Sequence, residues 1–208
     1  MFFKQIHTGT MGNFTYIFGC KDTRMSAVVD PPSDITKVIN ILKDNNFKLE
    51  YIYATHTHFD HIGGIRELKA QTNAKTVVHR LESNVLKNKN IPVDIEVEEG
   101  DHMRLGTVIV RIIHTPGHTP GGICLLINNE KLITGDTLFV GDCGRTDLSG
   151  GNSKQLYESL EKKIKTLPDN IEVYPGHDYG GESSTIEKEK KSNPALNCKT
   201  LAEFEALP

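Results

Sequence analysis

The sequence predicts an α/β domain in which helices lie outside two stacked sheets. Two observations carry this. Strand-patterned and helix-patterned segments are mixed along all 208 residues, with no internal repeat or linker between them. Three strand patterns also follow one another directly between 107 and 136, as antiparallel neighbours do. The length suits one domain, residues 1–208, with its own core and short helices at the C-terminal end.

The elements follow in order. FFKQI, FTYIFG and MSAVVD read as strands separated by the turn material TGTMGN and CKDTR. Pro31 and Pro32 stop the third strand, and a helix is expected from about Asp34 with Val38, Ile39 and Leu42 on one face. YIYAT (51–55) is a buried strand that runs into the stretch THTHFDHIGG, after which Ile62, Ile65, Arg66, Leu68 and Lys69 suggest a helix. Gly63 and Gly64 near its start would let backbone approach a ligand closely. TVVH (76–79) is a strand, with a short helix over 81–88. TVIVRIIHT, GGICLLI and KLITGD are consecutive strands, and Asn128-Asn129 suits the hairpin turn between the last two. SKQLYESLEKKIKTL (153–167) is the clearest helix, with Leu156, Leu160, Ile164 and Leu167 at helical spacing. IEVYPG is a last strand. Ser184 with Glu187 and Thr200 with Glu203 have capping-box spacing and predict two C-terminal helices.

Composition narrows the function. Hydrophobic residues are 37% and charged residues 25%, an ordinary globular balance. A net charge of −3 gives no basic surface for nucleic acid or an anionic membrane, so neither is expected as a partner. No apolar run is long enough to span a bilayer, and MFFKQIHTGT lacks a signal-peptide core, so a cytoplasmic protein is expected. Cys20, Cys124, Cys143 and Cys198 form no CxxC pair; Cys20 and Cys124 read as buried thiols, and Cys143 lies in a glycine-bearing loop.

The chemistry lies in THTHFDHIGG. A chance H-x-H-x-D-H at this residue usage arises in about 1 in 1,000 such chains. In an extended loop His56 and His58 point the same way and can share a metal, while Asp60 and His61 can serve a second one nearby. Imidazole and carboxylate suit zinc, iron or manganese. Further donors follow predicted strands in tight loops: His118 in HTPGHTPGG, Asp136 in ITGDTLF and His177 in YPGHDYGG. His7, His79, His102 and His114 read as structural hydrogen-bonding groups, with His114 near enough to orient a ligand.

HTHFDH with His118, Asp136 and His177 resembles the metallo-β-lactamase fold superfamily over essentially the whole chain. The resemblance implies an αββα four-layer sandwich with its site at one edge of the sheets. It implies a first metal on His56, His58 and His118, a second on Asp60, His61 and His177, and Asp136 bridging. Two such metals generate a hydroxide nucleophile at neutral pH, and Asp60 could orient it or pass protons.

Within the superfamily, GDTLFVGDCGRTD and VYPGHDYGG are similar to glyoxalase II enzymes and to persulfide dioxygenases. By the first likeness Arg145 and Tyr179 would contact a small thiol-derived substrate. Glyoxalase II enzymes carry a longer C-terminal helical region that helps hold glutathione. This chain ends at Pro208 with little of it, which points away from glutathione as the carrier. CGRTD, YPGHDYGG and STIEKEKKSNPAL are at least as similar to the dioxygenases, which would use one iron on His56, His118 and Asp136. THTHFDHIGG and GDTLF lean towards the hydrolases. The expectation is therefore a binuclear metallo-hydrolase acting on a thioester, with two divalent ions (zinc, or iron or manganese). Persulfide oxidation on one iron is the alternative. A lactonase is chemically close, and a β-lactamase is compatible with the fold alone. A metal-binding domain without turnover is disfavoured, since a structural site needs only one closed metal.

Overall fold

The computed structural model describes residues 1–207. β1 (Phe2–Thr8), β2 (Asn13–Gly19) and β3 (Met25–Val29) pair antiparallel in sequence. α1 (Thr36–Asp44) then crosses to β4 (Lys48–Tyr53), which joins β3 in parallel. α2 (Phe59–Ile62) and α3 (Ile65–Thr72) lead to β5 (Lys75–His79), and α4 (Ser83–Asn88) leads to β6 (Ile95–Val97). These six strands form one sheet in the order β1-β2-β3-β4-β5-β6.

β7 (His102–Leu105), β8 (Val108–His114), β9 (Ile123–Ile127) and β10 (Lys131–Gly135) form an antiparallel meander. β11 (Leu138–Phe139) and β12 (Asp142–Cys143) make a separate small hairpin. α5 (Ser153–Ser159) precedes β13 (Glu172–Pro175), which lies parallel to β10, and β14 (Ser184–Thr185) closes the edge. α6 (Ile186–Ser192), α7 (Pro194–Asn197) and α8 (Leu201–Glu205) end the chain. The second sheet has the order β14-β13-β10-β9-β8-β7.

Strand alternation builds the layers. Phe18, Tyr53 and Val77 of the first sheet face Val110, Leu125 and Ile133 of the second. The intervening residues turn outward: Ile17, Ile52 and Val78 pack under Val38, Leu42, Ile65 and Leu68, while Leu126, Leu132 and Val173 pack under Leu156, Leu160 and Ile186. Both faces of each sheet are therefore apolar, and helices cover the two outer ones. Each fully buried aliphatic side chain contributes about 1.5–3 kcal/mol. The expected αββα four-layer sandwich is the observed one.

The details depart from the sequence reading where tertiary contacts outweigh local pattern. The helix expected over 153–167 stops being α-helical after Ser159 and continues as a π-helical turn over Leu160–Ile164. Leu156, Leu160 and Ile164 recur every four residues, more than one 3.6-residue turn. The wider turn, closed by Lys165 N–H to the Leu160 carbonyl at 2.8 Å, keeps all three on the sheet. The cap expected at Ser184 falls one residue later, on Thr185, whose hydroxyl accepts from Lys188 N–H at 3.2 Å, because Ser184 pairs with Val173 in β14. Thr200 caps α8 as expected, accepting from Glu203 N–H at 3.2 Å. Three short C-terminal helices stand where two were predicted. Asn128 and Asn129 both adopt positive φ, the hairpin turn that the dipeptide suggested. Gly63 and Gly64 do not face a ligand. A Cβ on either would strike the Pro32–Ser33 backbone or the Ser33 hydroxyl, so they let α2 and α3 lie against the β3–α1 loop.

Candidate metal centre

The site forms at one edge of the sandwich, where strands from both sheets end. β4 delivers the cluster, β8 leads to His118, β10 to Asp136 and β13 to His177. The cluster is only partly an extended loop. His58 is extended at the N-cap of α2, and Asp60 and His61 lie within that single helical turn, which swings both towards His177.

The seven predicted donors converge. His56, His58 and His118 form one triad; Asp60, His61 and His177 form another; His56, His61 and Asp136 form a third between them. In each, the donor atoms lie within 4.8 Å of one another. The Asp136 carboxylate stands 3.5 Å from His118 Nε2, 3.3 Å from His177 Nε2 and 3.4 Å from His61 Nε2. The Asp60 carboxylate stands 3.4 Å from both His61 and His177.

Outer hydrogen bonds decide which ring nitrogen faces inward. His118 Nδ1–H donates to the Arg145 carbonyl at 2.7 Å, and His177 Nδ1–H to the Met11 carbonyl at 3.0 Å. His61 Nδ1 lies 2.9 Å from Asp30 Oδ2. The Thr55 hydroxyl donates to Asp30 at 2.6 Å, so it accepts from His56 Nδ1–H at 3.1 Å. Each of these four rings is left with its Nε2 lone pair directed into the site. His58 differs, presenting Nδ1 at 2.9 Å from His118 Nε2.

The donor set demands a cation. His61 Nε2 and His177 Nε2 oppose each other at 3.1 Å, each already flanked by the Asp60 and Asp136 carboxylates. All four groups are acceptors, so something positive must sit among them, a proton or a metal ion. His56 Nε2 and Asp136 Oδ1 are buried with no hydrogen-bond partner. Such orphaned atoms are costly in a protein interior unless an ion completes them. The cluster fits divalent metal.

Without metal, protons take that role. Burial opposes charge on His177, but hydrogen bonds to Asp136 and Asp60 raise its pKa to about 9. Burial likewise opposes charge on His61, and Asp136, Asp30 and Asp60 outweigh it and raise that pKa well above the ordinary value. Burial, with His61 beside it, holds His56 neutral. Burial disfavours the Asp60 anion, yet His177, His61 and Asn13 keep that carboxyl far below its ordinary range. Protons on His61 and His177 and a metal ion compete for one position, so metal binding expels protons.

Arg145 and Tyr179, the expected substrate contacts, both line a cleft of about 580 Å³ that opens over the cluster. Arg145 forks onto Asp147 through Nε and Nη2, both at 2.6 Å. The Tyr179 ring stacks on His177 at 4.7 Å. Cys143 also lines the cleft, and burial pushes its thiol up to about 12, which makes it a poor nucleophile. Cys20 and Cys124 are buried, as expected.

Three residues escaped the sequence reading. Asp30, at positive φ after β3, orients both His61 and Thr55. Asn13 Nδ2 donates to Asp60 at 2.8 Å. Buried Glu82 accepts from the Thr57 hydroxyl and, at 2.9 Å, from Gly121 N–H. It thereby ties the loop bearing His56 and His58 to the loop bearing His118. VVDPP carried a weak signal for Asp30, an acid at a strand end; nothing local marked Asn13 or Glu82. His114 orients no metal ligand side chain. It stacks on His79 at 3.9 Å, and its Nε2–H donates to the Pro120 carbonyl at 2.9 Å. His7 joins Asp178 and Glu182 in an exposed group apart from the seven donors.

Comparison with known proteins agrees. A family model described as the Metallo-beta-lactamase superfamily matches residues 8–177. The mitochondrial persulfide dioxygenase ETHE1 of Mus musculus is 36% identical over 187 residues, spanning 88% of this chain and 71% of that protein. A hydroxyacylglutathione hydrolase of Pelagibacter ubique is 38% identical over 173 residues, spanning 83% of this chain and 69% of its own length. The crystal structure of ETHE1 from Myxococcus xanthus superposes with a TM-score of 0.90 at 33% identity, covering 100% of this chain and 92% of that one.

Proposed function

The chain belongs to the metallo-β-lactamase superfamily, and we propose on that footing that it is a binuclear metallo-hydrolase that cleaves a thioester. The observation that carries this reading is Asp136. Its carboxylate lies within 3.5 Å of His118 on one side and of His61 and His177 on the other, so both histidine sets could share it. His56, His58 and His118 would hold one ion and Asp60, His61 and His177 the second. When bound, such cations would supply a hydroxide nucleophile at neutral pH and polarise a carbonyl oxygen.

The chain's own residues do the rest. Asp60, ionised and fixed by Asn13, would accept a hydrogen bond from the attacking water and orient it towards the cleft. Arg145 and Tyr179 flank the approach to that position. In the net reaction water oxygen bonds to the acyl carbon and the carbon–sulfur bond breaks. The departing thiolate takes a proton, giving a carboxylic acid and a free thiol.

A second reading is favoured by the ETHE1 relatives: oxidation of a thiol persulfide by oxygen on a single iron held by His56, His118 and Asp136. Elemental analysis of protein purified without added metal, followed by both assays, separates the two. About two metals per chain with anaerobic thioester turnover supports the hydrolase. One iron per chain, with oxygen uptake on a persulfide and no thioester turnover, overturns it. Under either reading His118→Ala should lose most metal and activity.

A further inference from the structure

The cleft over the cluster has an apolar rim. Among the described residues, seven large hydrophobic side chains are exposed, and four of them, Met11, Phe59, Leu148 and Tyr179, line this one cleft. Phe59 is 70% exposed and Tyr179 58%. Scattered exposed apolar residues need no explanation, but a convergence around one opening marks a binding surface. Phe139 continues the apolar wall to the floor, meeting Tyr179 edge-on at 5.0 Å and His177 at 5.9 Å.

The charges in the cleft point the same way. Arg145 is the one lysine or arginine that lines it, and both carboxylate oxygens of Asp147 already occupy its guanidinium fork. The remaining charged side chains of the wall are Asp60, Asp136 and Asp142, beside the histidines of the cluster. A ligand with several carboxylates, such as a glutathione conjugate, would share with Asp147 the one guanidinium of the wall and meet no second lysine or arginine there.

We propose that the cleft selects a substrate whose sulfur-bearing group carries an apolar, uncharged substituent, seated on Phe59, Leu148, Met11 and Tyr179. This rests on the reading of the centre as one that acts on a thiol-derived substrate. A cleft of about 580 Å³ has room for a chain of several carbons beside the reacting group.

The test is calorimetric titration of zinc-loaded protein with ethanethiol, butanethiol, hexanethiol and glutathione. Each added methylene buried on the rim is worth up to about 0.8 kcal/mol, which is up to about fourfold in Kd. The expected result is a two- to fourfold gain per methylene, on the order of that increment, with hexanethiol about tenfold or more tighter than glutathione. Leu148→Ser, which lies outside the ligand loops, should shrink the hexanethiol advantage. Ethanethiol affinity and metal content should stay as in the parent. Equal affinity along the alkyl series, or tighter binding of glutathione, overturns the proposal. A thioester assay on the same preparation keeps the two readings apart. Absent turnover with an intact chain-length trend sinks the hydrolase alone, and turnover with a flat trend sinks the apolar subsite alone.

Discussion

His61 Nδ1 lies 2.9 Å from Oδ2 of Asp30, a buried carboxylate 31 residues earlier in the chain. The same carboxylate accepts Thr55 N–H at 2.8 Å and the Thr55 hydroxyl at 2.6 Å, and that hydroxyl in turn holds His56. One side chain at the end of β3 thus orients a histidine in each half of the cluster. Asp30→Asn preserves the shape but gives up the charge that makes His61 a strong donor. Loss of such an outer carboxylate costs about 10–100-fold in metal affinity or activity. Metal per chain after dialysis should fall below that of the parent while the circular dichroism spectrum stays native. Full retention of metal and turnover would show that Asp30 is dispensable.

Glu82 supports a separate expectation, on stability. The residue is 3% exposed, and its carboxylate joins the Thr57 hydroxyl to Gly121 N–H. Glu82→Ala leaves two buried donors unsatisfied, each costing about 1–3 kcal/mol. A domain of this size loses about 2–4 °C in Tm for each kcal/mol. Differential scanning calorimetry should therefore show a fall of several degrees, with Glu82→Gln recovering part of it by accepting from Gly121. An alanine variant that melts with the parent contradicts the clamp.

Much of the architecture was legible because its signal is local. The apolar, β-branched and aromatic runs of β2, β8, β9 and β10 and the helical spacing of α1 appear directly in the sequence. The seven candidate donors that converge in the structure were legible too, because each follows a strand end within a few residues. What stayed hidden depends on distant partners. β6 and β7 are three and four residues long, and β14 is two; each exists through a neighbouring strand rather than its own pattern. Asn13 reaches Asp60 across 47 positions, and no spacing rule connects them. His114 looked like a ligand-orienting group because it precedes His118 by four residues. β8 instead turns its ring onto His79.

That stacked pair gives a pH dependence. Burial, with His114 and Arg80 nearby, lowers the His79 pKa to about 4, against about 6.5 in an unfolded chain. The unfolded chain therefore takes up the proton first as pH falls. The contribution of neutral His79 is complete above about pH 6.5 and is lost progressively down to about pH 4. Metal ligands titrate over the same range, so the comparison must be with a variant. His79→Gln should show a shallower loss of Tm between pH 6.5 and 4 than the parent does. Parallel Tm profiles would mean that His79 contributes nothing to the acid limb.

The C-terminal helices act on the cleft through Asn193. Its side chain is fully buried between α6 and α7. Nδ2 donates to the carbonyls of Phe139 at 3.3 Å and Asp142 at 3.0 Å and to Glu189 at 2.7 Å, while Oδ1 caps α7 by accepting Ala195 N–H at 2.9 Å. Glu189 completes the anchor by accepting Gly141 N–H at 2.9 Å. These bonds pin the β11–β12 hairpin, which supplies Phe139 to the cleft wall and precedes Arg145. Asn193→Asp keeps the cap but removes the donors and sets a second carboxylate beside Glu189. It should loosen the hairpin without touching a metal donor. The expected outcome is a raised KM for whichever substrate is turned over, with kcat changed less and metal content unchanged, since the loss falls on positioning rather than on chemistry. Asn193→Ala loses the cap as well, at about 0.5–2 kcal/mol, but buries no second carboxylate against Glu189 and should be the more stable of the two. A fall in kcat at constant KM, or loss of metal in Asn193→Asp, would place the hairpin in support of the ions instead of the substrate.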